Sequence, residues 1–266
     1  MEFRPVGSKE RVATLDILRG FSLLGILLVN MFGFYLPMPH IADLSNWFSE
    51  AQDIIWQQLL DIYVQSSFYP LFSMLFGYGL AMQFLKAKET GASFYRFAPK
   101  RMIILFIVGM LHAVFIWWGD ILATYAFCGI FLIALMRLRA KWLLIIAVVV
   151  NGLYHAIILS LYKAGGMFDT TTDSLSVDIV AIQSSIEAYG VGSWMDAFSQ
   201  RLVDLSIQMS PFMWISSLFT ILPYMLIGAA LGKWRLIEGA KDKLVTWLVL
   251  AVLGIGIGIY MKSLPI

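Results

Sequence analysis

The chain is short of charge, of cysteine and of the signatures of cofactor chemistry, and each shortage removes a class of protein. Only 14% of its 266 residues are charged, against roughly 25% in an ordinary soluble domain. A soluble globular protein is therefore excluded. Cys128 is the one cysteine, so no disulfide can form within the chain and a small disulfide scaffold is excluded as well. No HExxH, CxxC, P-loop or GxGxxG pattern occurs. Zinc hydrolysis, dithiol chemistry, nucleotide hydrolysis and a dinucleotide-binding fold thus have no sequence support, and no metal is expected.

What is abundant is apolar: 60% of residues are hydrophobic and the mean hydropathy is +0.80. Apolar runs near membrane length recur along the chain, which fits an all-α, polytopic helical membrane protein and excludes disorder, coiled coil and collagen. The 19 Lys and Arg against 17 Asp and Glu leave a net charge of +2. The basic residues fall in short clusters between apolar runs instead of forming a stripe with interleaved aromatics, so a lipid bilayer and not nucleic acid is the expected partner.

Spans are predicted at residues 17–35, 66–85, 102–118, 120–136, 142–162, 207–231 and 244–262, about seven helices in one membrane domain covering 1–266. The first is read as a retained helix, not a cleaved signal, because its apolar core is too long and no small-x-small site follows at Pro37-Met38-Pro39. Lys86, Lys88, Arg96, Lys100 and Arg101 fill the second connection, Arg137, Arg139 and Lys141 the fourth, and Lys233, Arg235, Lys241 and Lys243 the sixth. By the positive-inside rule these connections are cytoplasmic, which puts the N-terminus inside and the C-terminus outside. Two outer segments result: residues 37–65, with an amphipathic helix expected over 44–65, and a loop at 163–204 whose stretch 176–200 shows a weaker version of the same pattern.

Ionisable groups at membrane depth are costly and so are functional candidates. Asp16 and Arg19 lie one turn apart at the inner end of the first span, able to pair while leaving guanidinium donors for a phosphate or carboxylate; snorkelling and anchoring are the structural alternative. Asn30 lies eleven residues beyond Arg19, on nearly the same helix face and about 16 Å further along. His112 stands the same eleven residues beyond Arg101, so His112 and Asn30 are expected at similar depth, facing one polar cavity. Asp120 follows in Trp117-Trp118-Gly119-Asp120. A histidine with a carboxylate points to acid/base chemistry, but the two are eight residues apart, about 12 Å along a helix, so contact requires the turn to fold Asp120 back. The alternative is a histidine bonded to a neighbouring helix and an aspartate capping the next one. His40, at the outer edge, is placed to meet an acceptor. Ser73, with Gly77 and Gly79, reads more readily as helix-contact chemistry than as catalysis, as do Gly228 and Gly232. Pro211 and Pro223 can break the sixth span.

Leu15-Asp16-Ile17-Leu18-Arg19-Gly20-Phe21, running into Gly25-Ile26-Leu27-Leu28-Val29-Asn30, resembles the opening helix of the YeiB-like membrane proteins. Leu71-Phe72-Ser73-Met74-Leu75-Phe76-Gly77-Tyr78-Gly79, Gly109-Met110-Leu111-His112, Gly119-Asp120-Ile121-Leu122 with Tyr125-Ala126, and Leu222-Pro223-Tyr224-Met225-Leu226-Ile227-Gly228 to Gly232-Lys233-Trp234 are similar to the same family. The first helix more distantly resembles the transmembrane acyltransferases of the glucosaminide acetyltransferase kind. That resemblance implies acyl-CoA as the cytoplasmic acyl donor, held by Asp16 and Arg19, and a small-molecule or glycan acceptor near Asn30 and His112. Members of the YeiB-like family run longer and carry a Tyr-Leu-x-Gln-Ser-like stretch in the C-terminal half. The stretch is missing here, so a short or truncated member is expected, with apolar faces that need a partner or a homo-oligomer. The leading expectation is a membrane acyltransferase, the alternatives a small-molecule or ion transporter or a non-catalytic membrane scaffold.

Overall fold

In lipid the backbone has no water to bond, and a single chain satisfies it most simply as helix. The computed structural model describes residues 13–36, 38, 48–64, 67–163, 179–238 and 244–263. Among these the regular elements are α-helices: α1 Ala13–Tyr35, α2 Ala51–Tyr63, α3 Phe68–Thr90, α4 Phe94–Phe115, α5 Leu122–Leu135, α6 Ala140–Lys163, α7 Ile179–Gly190, α8 Trp194–Gln208, α9 Pro211–Thr220, α10 Leu222–Lys233 and α11 Leu244–Ser263.

Among the described residues, five helical stretches, α1, α3, α4, α6 and the α9–α10 pair, are long and apolar enough to cross a membrane. At 14 residues α5 is shorter, rising about 21 Å, less than the roughly 30 Å of a hydrocarbon core. Where span 207–231 was expected, the helix stops at Gln208 and starts again at Pro211 behind the Ser210 cap. It continues past the turn residue Ile221 into α10, with Pro223 in its first turn. The Ile221 amide donates to Ser217 O at 2.9 Å and the Met225 amide to Ile221 O at 3.2 Å, so the ladder runs through the joint between α9 and α10. Residues 176–200 also prove more regular than a loop. From Ile179 onward they form α7 and α8, and α8 starts in a capping box in which Ser193 and Asp196 satisfy each other's backbone amides.

The centre of the bundle is α10 packed on α3. A Cβ on Gly228 would lie 1.9 Å from the Met74 carbonyl oxygen, and one on Gly232 would lie 2.9 Å from that of Tyr78. Only hydrogen fits between backbones this close, which is how helices gain contact where lipid offers no hydrophobic drive. Tyr78, Tyr125, Met102, Leu132, Leu143, Met225 and Leu226 are buried around this seam. Ile17, Leu24, Ile104, Val148, Leu153 and Val252 instead stand exposed along α1, α4, α6 and α11, the lipid-facing surface a membrane protein requires.

Two levels of the bundle are marked by contacts. At one, Arg19 of α1 lies over Gly79 of α3, and Lys233 of α10 donates to the Met136 and Leu138 carbonyls at the end of α5. At the other, the Trp117 indole donates to Gly33 O at 3.0 Å, joining the end of α1 to the α4–α5 turn. Arg19 and Gly33 are fourteen residues apart, so the two levels are separated by about 21 Å along α1.

Candidate functional site

α4 and α5 form a tight antiparallel hairpin, and its turn does what the spacing of His112 and Asp120 demanded. α4 ends at Phe115 and the chain doubles back so that Asp120 Oδ2 lies 3.0 Å from His112 Nδ1. The other carboxylate oxygen, Oδ1, accepts a hydrogen bond from the Ala123 amide at 2.9 Å. Asp120 thus meets an amide in the first turn of α5 with one carboxylate oxygen while the other faces the histidine. The carboxylate is 2% exposed, whereas the imidazole is about one-third exposed. The Nδ1–Oδ2 approach is close but not in line as a hydrogen bond, a looseness common where a site tightens only around its ligand. With Nδ1 turned to the carboxylate, Nε2 is the ring atom left to take a proton from another group.

At the Arg19 level, Arg19 Nη1 bonds Asp16 Oδ1 at 3.0 Å, and both side chains are more than one-third exposed. A Cβ added to Gly79 would lie 2.7 Å from Nη2. The guanidinium is therefore laid against α3, with one edge held by Asp16. An exposed pair of this kind contributes about 1 kcal/mol or less to stability, and its donors are at hand for an oxyanion.

Ser73 belongs to neither station. It is fully buried, donates to Tyr69 O at 2.7 Å and sits 2.6 Å from the Tyr125 hydroxyl. The hydroxyl is committed to joining α3 to α5, the helix-contact role expected of it. Asn30 is half-buried on α1, and among the described contacts none joins it to His112. His40 lies outside the described residues.

A cavity of about 450 Å³ is walled at the end of α1 by Gly33 and Phe34, in the α4–α5 turn by Trp117 and Trp118, and on α7 and α8 by Ser185, Tyr189 and Arg201; among the described residues, His112, Asp120 and Asn30 do not line it. It lies one turn beyond Asn30 and His112 on their respective helices. Arg201 Nη1 donates to Val114 O at 3.3 Å and Phe115 O at 3.0 Å, occupying carbonyls that α4 leaves without helical partners. Asp204 is 3% exposed and accepts from the Tyr189 hydroxyl at 2.8 Å and from Gln200 Nε2 at 3.0 Å. Burial pushes the Asp204 carboxyl above its ordinary range despite those two bonds, and burial together with the Asp204 carboxylate pushes the Tyr189 hydroxyl up. At the start of α8, Asp196 is held below its ordinary range by its bonds from Ser193.

Sequence reasoning missed Ser185, Tyr189, Arg201 and Asp204 because residues 163–204 read as an outer connection. A signal was present: Arg201 and Asp204 stand one turn apart, the spacing that singled out Asp16 and Arg19.

No family model and no solved structure matches the chain. It is 33% identical over 273 aligned positions to "Uncharacterized protein YxaH" of Bacillus subtilis (strain 168), covering 95% of this chain and 66% of that protein. It is 34% identical over 137 positions to an "Uncharacterized 39.9 kDa protein in amylase 3'region" of Bacillus acidopullulyticus, covering 52% of this chain and 37% of that protein. With "Uncharacterized protein YeiB" of Escherichia coli (strain K12) it shares 34% identity over 130 positions, 48% of this chain and 32% of that one. The chain thus spans just under two thirds of the first relative and about a third of the other two.

Proposed function

Starting from the premise that this chain is a helical, membrane-type protein of the YeiB/YxaH family, we propose that it transfers an acyl group from acyl-CoA to a hydroxyl or amine acceptor across the bilayer. In this reading the chain makes seven crossings with its N-terminus in the cytoplasm. Arg19, steadied by Asp16, binds the phosphates of the donor, and His112, steadied by Asp120, activates the acceptor. Asn30 and His40 serve the acceptor side.

The observation that supports the reading best is the His112–Asp120 approach of 3.0 Å. It supplies the base-plus-orienter arrangement that acyl transfer to a hydroxyl needs. His112 Nε2 takes the hydroxyl proton as the acceptor oxygen bonds to the acyl carbonyl carbon. The carbon–sulfur bond breaks, and the proton leaves with the thiol. Asp120 stabilises the transient imidazolium, and its own position is kept by the Ala123 amide. Because the depth at which His112 is expected lies about 16 Å from Arg19 along α1, the thioester arm has to extend along that helix.

The test is release of free CoA thiol by the chain in nanodiscs, with acetyl-CoA as donor and glycerol or glucosamine as acceptor. His112→Gln keeps the size and hydrogen bonding of the side chain while removing proton transfer, so turnover is expected to fall by roughly 10²–10⁴ with little change in thermal stability. Undiminished thiol release in His112→Gln rejects the reading.

A further inference from the structure

The cavity at the Gly33 end has a chemistry of its own. Its wall includes Trp117, Trp118, Phe34 and Ile116, broad apolar faces suited to a ring or an acyl chain. Among the described residues that line it, Arg201 is the one that carries charge. Its described bonds, both to α4 carbonyls, are made through Nη1, so Nε and Nη2 carry no described hydrogen bond on a residue that lines the cavity. The carboxylate next to this wall, Asp204, does not line the cavity and is engaged by Tyr189 and Gln200. Ser185 completes the wall. It is 1% exposed, and its hydroxyl has no hydrogen-bond partner among the described residues. A buried hydroxyl without a partner is destabilising, and rotation of the Ser185 side chain toward a ligand oxygen in the cavity removes that cost.

We propose that this cavity binds a singly charged oxyanion attached to an apolar body, with Arg201 and Ser185 holding the anion and the Trp117–Trp118 face holding the body. One cation and one hydroxyl donor match a monoanion, such as a phosphodiester or carboxylate, and not a doubly charged group. The same chemistry occurs in an anionic phospholipid headgroup and in a soluble aromatic phosphodiester or carboxylate. That the bound species is also the acyl acceptor rests on the transfer reading above; that it binds does not.

The test uses the full chain in phosphatidylcholine nanodiscs. Diphenyl phosphate serves as the soluble probe, phosphatidylglycerol doped into the disc as the lipid probe, and diphenylmethanol as the neutral one. Either anionic probe is expected to raise the thermal midpoint saturably, and which of them does so identifies the source. Arg201→Gln is expected to weaken binding at least tenfold. Since Arg201 also bonds α4, the accompanying variant is Ile186→Trp, which fills the cavity from a partly exposed wall position and should abolish binding while the midpoint without ligand stays close to wild type. His112→Gln is expected to bind as wild type does even where thiol release is lost, which separates this proposal from the fate of the transfer reading. Equal stabilisation by diphenylmethanol, no stabilisation by either anionic probe, or unchanged affinity in both cavity variants overturns it.

Discussion

Gly109 on α4 sets the position of Asp120: a Cβ added there would lie 2.8 Å from Asp120 Oδ1 and 2.4 Å from the Ala123 nitrogen that Oδ1 accepts from. The missing side chain lets the start of α5 close onto α4, and that closure brings the carboxylate to the histidine three residues further along.

Two substitutions at Asp120 separate its roles. Asp120→Asn retains an oxygen for the Ala123 amide, so stability should change by less than about 1 kcal/mol. Thiol release should fall by about as much as in His112→Gln, because an amide neither fixes the tautomer nor balances the imidazolium. Asp120→Ala loses the cap as well and should cost about 0.5–2 kcal/mol more. Thermal unfolding and thiol release on the same samples decide it; full activity in the Asn variant would remove Asp120 from the chemistry.

At the other station, Arg19→Ala should weaken acyl-CoA binding by at least tenfold with little loss of folding yield, and Arg19→Lys should restore only part of it, since an ammonium lacks the two-pronged geometry. Gly79→Ala presses on the guanidinium end at 2.7 Å, a flexible neighbour able to move. It should lower affinity through the position of Arg19 alone. Titration of wild type and variants with acyl-CoA checks this, and unaltered affinity in Arg19→Ala rejects the assignment.

The α7–α8 pair should be sensitive to pH through Asp204. Its carboxyl is raised above 3.8 by burial, so the protonated form is the one the fold favours. That contribution is complete below the ordinary value and is lost as pH climbs through the raised one. Wild type should therefore lose thermal stability relative to Asp204→Asn as pH rises from about 4 toward neutrality. A difference that stays flat, or runs the other way, refutes the account.

Orientation is accessible to cysteine labelling. In a Cys128→Ser background, a cysteine at Glu187, exposed on α7, should react with a membrane-impermeant reagent added from outside the cell. One at Thr90, exposed at the end of α3, should react only after the membrane is opened. Labelling of both from the same side contradicts the topology.

The helical membrane class was legible in the sequence because it follows from one-dimensional quantities: the length of each apolar run and the sparsity of charge between its ends. The pairing of Asp16 with Arg19 was equally local, since residues three apart on a helix share a face. The boundaries were less so. α3 and α4 run past their apolar stretches because polar and charged residues such as Lys86, Lys88 and Arg96 form helix as readily outside lipid as apolar ones do inside it. What periodicity had no means to decide was every relationship that depends on one chain segment turning back on another. Whether Asp120 reaches His112 depends on the close approach of α4 and α5 at Gly109. Arg201 meets the end of α4 from 86 residues away, and the wall it shares with Trp117 and Ser185 exists only once α7 and α8 fold against the hairpin. Tertiary packing decided these because a side chain's neighbours across helices are set by shape and hydrogen-bond satisfaction in three dimensions, and those leave little trace in the order of residues along the chain.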